Sequence, residues 1–290
     1  MQNDLTAQVF ELIRSASVDL SPDVEKALIA ARDKETEGST ERGTFDVILQ
    51  NNKMARDNNT PICQDTGTLI FYIDIPRKTD TMPIEEAIKE AARQATKNFL
   101  LRPNAVDPIT QKNTKNNVGE KAPYIHFEQW DKDYFRYKLM LKGGGSENVG
   151  TQYTLPNTPL NAGRDINGIK KCVVDAVFQA QGKGCSPGII GIGIGGDRCV
   201  SYLTSKEQFF RKFGERSPDP VLAEMEIDLY NTLNKLGIGP MGFGGKTTVL
   251  EVFAAKACRH PASFFVSISY MCWACRRKTM IIKNGEVQYD

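Results

Sequence analysis

The sequence has no long apolar stretch. Its longest such runs, residues 188–196 among them, are short and glycine-rich. They fall far below the roughly 20 apolar residues that a membrane-spanning helix needs. Charge of one sign is also missing, with 37 basic against 35 acidic residues and a net charge of +2. Without a basic field, nucleic acid is not an expected partner. The N-terminal stretch MQNDLTAQVFELIRS carries acids on an amphipathic helical pattern, unlike a signal or transit peptide. The expected location is therefore the cytoplasm, with no membrane partner. The seven cysteines, an odd number with no export signal, argue against a disulfide framework. Repeats, low-complexity tracts and a convincing linker are absent as well.

What is present suits a globular enzyme-sized chain. The 290 residues, 40% hydrophobic and 25% charged, are enough to bury a substantial core. Ser21-Pro22 opens a helix, with Asp23 and Glu25 suited to its positive end. Further helical patterns cover 44–56, 83–99, 167–181 and 219–236, the last closed by Gly237. Strand patterns cover 68–75, 134–141, 189–194, 249–255 and 264–270. Residues 280–289 read as a hairpin turning at Asn284-Gly285. The polar stretch 103–123 reads as a long surface loop. The expectation is an α+β fold, one large domain over residues 1–290 with mixed sheets flanked by helices.

Three cysteines share a setting. Cys63, Cys185 and Cys272 each lie near a strand–loop boundary beside Pro, Gly, Asp or Arg. They are too far apart for a local zinc-finger spacing, so only the fold can assemble a shared site. Three thiolates on a cubane cluster leave one iron open to act as a Lewis acid. Against this stands the ordinary fate of a free cysteine, which is to serve as a small buried hydrophobe. Cys275 makes a C-x-x-C with Cys272, a pattern that also fits a redox pair or half a zinc site. That leaves a non-enzymatic metal or redox protein as an alternative class. The glycine run GIGIGGD, residues 191–197, superficially suggests a dinucleotide loop. Its glycines alternate within a strand pattern and no helix start is evident after them, so a nucleotide site is not expected.

Other residues have the right chemistry for an acid substrate. Asp65 can move a proton at a leaving oxygen, or simply cap a turn. Arg102 offers a planar fork for a carboxylate. His260 is one of two histidines and can bind or donate to a carboxylate. His126 reads as structural. Gly143, Gly144 and Gly145 form a turn whose backbone N–H groups can approach an anion.

Five segments recur together in one order: Ile62-Cys63-Gln64-Asp65-Thr66-Gly67, Lys142-Gly143-Gly144-Gly145-Ser146-Glu147-Asn148, Gly184-Cys185-Ser186-Pro187 with the glycine-rich strand, Arg259-His260-Pro261, and Cys272-Trp273-Ala274 with Arg276-Arg277. Together, from about residue 10 to 285, they resemble the N-terminal half of the class I iron–sulfur fumarase and tartrate dehydratase family. The resemblance implies that Cys63, Cys185 and Cys272 hold a [4Fe–4S] cluster and that Cys275, Cys172, Cys199 and Cys258 are structural. Ser186, standing between Cys185 and Pro187, is a small departure from the family's pattern. The resemblance also implies catalytic roles for Asp65 and His260, and substrate contacts from Gln64, Arg102, Gly144 and Gly145. The implied reaction is reversible hydration of fumarate to (S)-malate, as in the tricarboxylic acid cycle, or else dehydration of L(+)-tartrate to oxaloacetate. No C–H base is identified here. Family members draw it from a second domain, so this chain is expected to be an α subunit needing a separate β subunit, in a heterotetramer of two α and two β.

Overall fold

The computed structural model describes residues 2–290, with side chains from residue 5 onward. In chain order the elements are α1 (Gln2–Val18), α2 (Pro22–Lys34), α3 (Thr40–Asn58), β1 (Thr68–Pro76), α4 (Met82–Lys97), β2 (Tyr124–Trp130), β3 (Phe135–Lys142), α5 (Gly144–Asn148), β4 (Thr151–Thr154), α6 (Ile166–Ala180), β5 (Gly188–Gly195), α7 (Arg198–Glu207), α8 (Pro220–Asn234), β6 (Val249–Ala257), β7 (Phe265–Met271), β8 (Arg277–Lys283) and β9 (Glu286–Tyr289). The α+β class, with two mixed sheets flanked by helices, is the one expected. Within it are two compact units, each discontinuous in sequence. Because the chain passes between them more than once, no single linker marks a boundary.

The first unit comprises the chain up to Ser21, Gln50–Gly144 and Ala274–Asp290. Its sheet has the order β2-β1-β3-β8-β9, with β1 and β2 parallel and the other pairs antiparallel. β1 is buried on both faces; on one of them Leu69, Phe71, Ile73 and Ile75 join Leu139 and Leu141 of β3 in one core. Helices α1 and α4 cover that face. Val9, Leu12, Ile13 and Ala16 of α1 recur at helical spacing and meet Ile84, Ile88, Ala91, Ala92 and Ala95 of α4. On the other face of β1, buried Asp74 is paired with Arg136 and Lys138, so its charge is not left alone. The hairpin turns where expected, at Asn284 and Gly285, both with positive φ.

The second unit comprises Pro22–Leu49 and Gly145–Trp273. Its sheet has the order β4-β7-β5-β6, with β5 and β6 parallel. The alternation IIGIGIG in β5 serves two different faces. Ile190, Ile192 and Ile194 enter a core with Ile169, Val173 and Val177 of α6 and Leu222, Met225 and Leu229 of α8. Gly191 and Gly193 point the other way, under α7. A Cβ on Gly193 would stand 1.9 Å from the Ser201 carbonyl oxygen, and one on Gly191 2.1 Å from that of Ser205. Only glycine lets that helix lie so close to the strand.

Helix α7 corrects one expectation. A helix does start directly after the glycine run, capped by Asp197, whose carboxylate accepts the Val200 N–H at 2.7 Å. Its own acid occupies the place an anionic ligand would take, so a phosphate is still unsuited to this turn. The strands β2 and β4 were also not visible in the sequence. The first follows a polar loop and is half-exposed at a sheet edge, and the second is four residues long.

Candidate active site

In the first unit, the segment after α3 carries Cys63, Gln64 and Asp65 into β1. Asp65 is the organiser. Its Oδ1 accepts the Gly67 N–H at 3.0 Å, closing a local turn, and its Oδ2 accepts the Gly144 N–H at 2.7 Å. Gly143 lies against the same carboxylate, and a Cβ there would be 3.1 Å from Oδ2. Gly67, at φ +81°, sits so tightly on β3 that a Cβ would be 2.8 Å from the Leu141 carbonyl carbon. The glycines thus let two loops close on one carboxylate. The N–H of Gly144, expected to face an anion, faces one supplied by the protein.

Arg102 lies beside the same loop. Its Nη1 donates to the Gln64 carbonyl at 3.4 Å, and its backbone N–H donates to Thr66 Oγ1 at 2.9 Å. The rest of the guanidinium is exposed, as is Gln64. Asn104 bonds Thr66 Oγ1 and the Gly67 carbonyl through Nδ2, and Asn117 Nδ2 donates to the Arg102 carbonyl at 2.9 Å. Buried Asn117 also donates to Thr96 Oγ1 on α4 at 2.8 Å, tying this loop to a packed helix. Thr66, Asn104 and Asn117 escaped the sequence reading because they lie within or beside segments read as loop, where Asn and Thr are ordinary.

Arg276, seen in the sequence only as part of a motif, is the largest side chain that is wholly buried. Its Nη1 donates to the Asp65 carbonyl at 2.7 Å. Its own carbonyl accepts the Leu141 N–H at 2.9 Å. Successive carbonyls of Gln64 and Asp65 therefore each carry an arginine.

In the second unit, Cys185 and Cys272 come together. The Trp273 N–H donates to the Cys185 carbonyl at 3.2 Å. Both thiols act electrostatically on the buried Tyr270 hydroxyl, whose pKa rises mainly through burial and further through these two neighbours. Cys185 adopts a left-handed backbone at φ 57°, and the glycines around it are needed by the tyrosine. A Cβ on Gly184 or Gly188 would meet the Tyr270 ring at 2.6 or 2.3 Å. Ser186 is buried, and its hydroxyl donates to the Gly239 carbonyl at 2.6 Å, so it pins the loop that follows Cys185. Gly145 lies against the Lys183 carbonyl. His260 is exposed, and its Nδ1 accepts the Ala262 N–H at 3.1 Å, which leaves Nε2 to carry the donor proton. Arg259 steadies this turn by donating to the carbonyls of His260, Pro261 and Ser263.

None of the seven cysteines is joined in a disulfide. Cys63 and Cys185 are half-buried and Cys272 is nearly buried. Among the described residues, no three His, Cys, Asp or Glu side chains surround one metal-ion position. A cubane cluster spreads its ligands over several irons, so it does not call for that arrangement. The donor set itself, three soft thiol sulfurs outside any disulfide, suits an iron–sulfur group better than a hard cation. Cys275 is fully buried, in keeping with a structural role. Burial pushes the Cys172 thiol up to about 11, which makes it inert. Cys199 and Cys258 are both exposed. Cys199 lies near the start of α7 and Cys258 just past the end of β6. His126 is stacked on Tyr72 at 4.8 Å between ring centroids.

Residues 6–281 match the family model for fumarate hydratase (fumerase), and the chain belongs to that family. It is 47% identical over 288 residues to a Geobacillus stearothermophilus protein assigned as fumarate hydratase class I, covering 98% of this chain and 56% of that protein. The chain thus spans a little over half the length of that relative. It is 40% identical over 281 residues to a Methanocaldococcus jannaschii protein assigned as L(+)-tartrate dehydratase subunit alpha, covering 95% of this chain and 96% of that one. The L(+)-tartrate dehydratase subunit alpha of Escherichia coli is 31% identical over 282 residues, covering 97% and 91%. No helix among the described residues is long and apolar enough to cross a membrane.

Proposed function

We propose that this chain is the cluster-bearing subunit of a cytoplasmic hydro-lyase that interconverts fumarate and (S)-malate. The observation that carries this reading is the single loop Cys63-Gln64-Asp65, which has Arg102 on one carbonyl and Gly144 on its carboxylate, in a chain of the fumarate hydratase family. Cys63, Cys185 and Cys272 hold a [4Fe–4S] cluster. When bound, that cluster supplies one open iron as a Lewis acid toward a substrate hydroxyl or carboxylate.

The remaining work belongs to the chain's own side chains. Arg102, exposed apart from its one carbonyl bond, presents its free edge to a carboxylate. Gln64 adds an amide donor. The Nε2–H of His260 serves the carboxylate beside the acidic carbon, where charge develops as the proton leaves. Asp65, fixed by two N–H donors, exchanges the proton of the departing oxygen. Gly144 and Gly145 shape the turn against which the substrate lies. A base for the C–H proton has no counterpart in this set. A separate β subunit supplies it, in an assembly of two α and two β chains.

L(+)-tartrate is the second reading, because it differs from malate by one added hydroxyl and two of the relatives bear that name. The test is hydration of fumarate and dehydration of L(+)-tartrate, measured on the chain co-purified with its partner under anaerobic conditions. Activity on fumarate supports the first reading and activity on tartrate alone the second. Neither activity, with the cluster loaded, would sink both.

A further inference from the structure

Arg276 is 1% exposed and makes no ion pair among the described residues. Its guanidinium makes one hydrogen bond, from Nη1 to the Asp65 carbonyl, and its buried Nε has no partner at all. A buried cation without an anion costs several kcal/mol, which is why such groups are almost always paired. Asp65 Oδ2 and Nη2 of Arg276 flank Gly143, 3.1 and 3.6 Å from where its Cβ would stand, but the Asp65 oxygens are turned to the N–H groups of Gly67 and Gly144 and make no direct ion pair with the guanidinium. At 1% exposure the residue has little surface to offer a substrate.

We infer that Arg276 is the fixed counter-charge of the iron–sulfur cluster, a positioning residue that neutralises its net negative charge from beneath the Cys63 loop. The inference rests on the cluster reading above. Three thiolates on a [4Fe–4S] core leave a net anion, which a buried guanidinium stabilises without competing for iron, since arginine has no lone pair to offer. Its anchorage fits that task. The side chain is fastened to the carbonyl two residues beyond Cys63, and the backbone follows Cys272 by one short turn, Trp273-Ala274-Cys275, before joining β3 through Leu141. Hydrogen bonds and charges around a cluster tune both its retention and its potential.

The experiment compares the wild-type chain with Arg276→Met, which keeps the bulk and removes the charge, and Arg276→Lys, which keeps the charge. Each is reconstituted anaerobically with iron and sulfide. Two quantities are read: the rate at which a chelator strips iron, and the rise in Tm between the cluster-free and loaded chain. Arg276→Met is expected to lose iron about 10- to 100-fold faster than wild type, the usual effect of removing a group that supports metal ligands. Its rise in Tm on loading should shrink, and Arg276→Lys should fall between the two. If Arg276→Met melts lower in both forms by the same amount and holds iron as wild type does, the arginine merely ties a loop and the inference is wrong. Should the Met variant not fold, wild-type stripping rates in Arg276→Gln and Arg276→Lys alike would overturn it. A wild-type chain that takes up no iron would instead sink the cluster reading itself.

Discussion

Asp65 reaches across the first unit to hold Gly144, its Oδ2 accepting that residue's N–H at 2.7 Å while its Oδ1 accepts the Gly67 N–H. One carboxylate therefore fixes the loop after Cys63 and the glycine turn after β3. Asparagine has a single acceptor oxygen, so Asp65→Asn must forfeit one bond and set an amide N–H₂ against a backbone donor. We expect Tm to fall by the equivalent of about 1.5–3 kcal/mol, as for other hydrogen bonds to charged groups. If the same carboxylate also moves a proton, kcat drops by about 10²- to 10⁴-fold. A stable variant with wild-type kcat would remove Asp65 from the chemistry.

On the proposed reading, the cysteines divide into ligands and bystanders. Anaerobic protein should be brown, with a broad absorption that bleaches in air. Cys63→Ser, Cys185→Ser and Cys272→Ser should each abolish that absorption. Cys275→Ser should retain most of it, because this thiol is fully buried. An essential Cys275 beside a dispensable Cys63 would return the C-x-x-C pair to a zinc or redox role.

Arg102 keeps its backbone in a web of Thr66 and Asn117 bonds, while most of its guanidinium is exposed. Arg102→Lys should therefore fold normally. It loses the planar fork, and kcat/KM for the dicarboxylate should drop by the equivalent of about 2 kcal/mol if the contact is bidentate. Unchanged kinetics would show that Arg102 does not touch the substrate.

The sequence carried most of the fold because its strong periodic segments agree with their packing. The apolar run of β1 and the helical spacing of α4 and α8 each became the element they suggested. What stayed hidden depends on distant partners. β2 is a strand only because β1 lies beside it in parallel. The alternating glycines of β5 read correctly as part of a strand, but why they must be glycine shows only when α7 is laid over them. The site divides in the same way. Cys63, Asp65 and Arg102 stood out by type and motif, whereas Asn117 and the lone charge of Arg276 acquire meaning only through what surrounds them.

That packing gives a stability test independent of function. A methyl group on Gly193 would overlap the Ser201 carbonyl oxygen, a backbone atom that cannot swing aside. Gly193→Ala should cost about 3 kcal/mol or more, the upper range for overpacked cores. Gly38→Ala is a useful contrast, since its Cβ would meet nothing within 4 Å and only its φ of +76° opposes the change. Denaturant midpoints of the two variants check this. Equal, small losses would mean that α7 can lift from β5.

The last expectation concerns the base. Elimination removes a proton from one carbon and hydroxide from the next, and the roles proposed for the residues gathered here concern the oxygen and the carboxylates only. The isolated chain, with its cluster loaded, should be folded yet essentially inactive. Addition of the β subunit should restore turnover. An interface of that kind should bury more than about 2,000 Å² in total, as obligate contacts do. The check is a steady-state fumarate hydration assay with and without the partner. A turnover on the order of 10 s⁻¹ or more, ordinary for an enzyme, from this chain alone would place the base within its own 290 residues, and the natural search would then begin among the acids and lysines nearest the Cys63 and Cys185 loops.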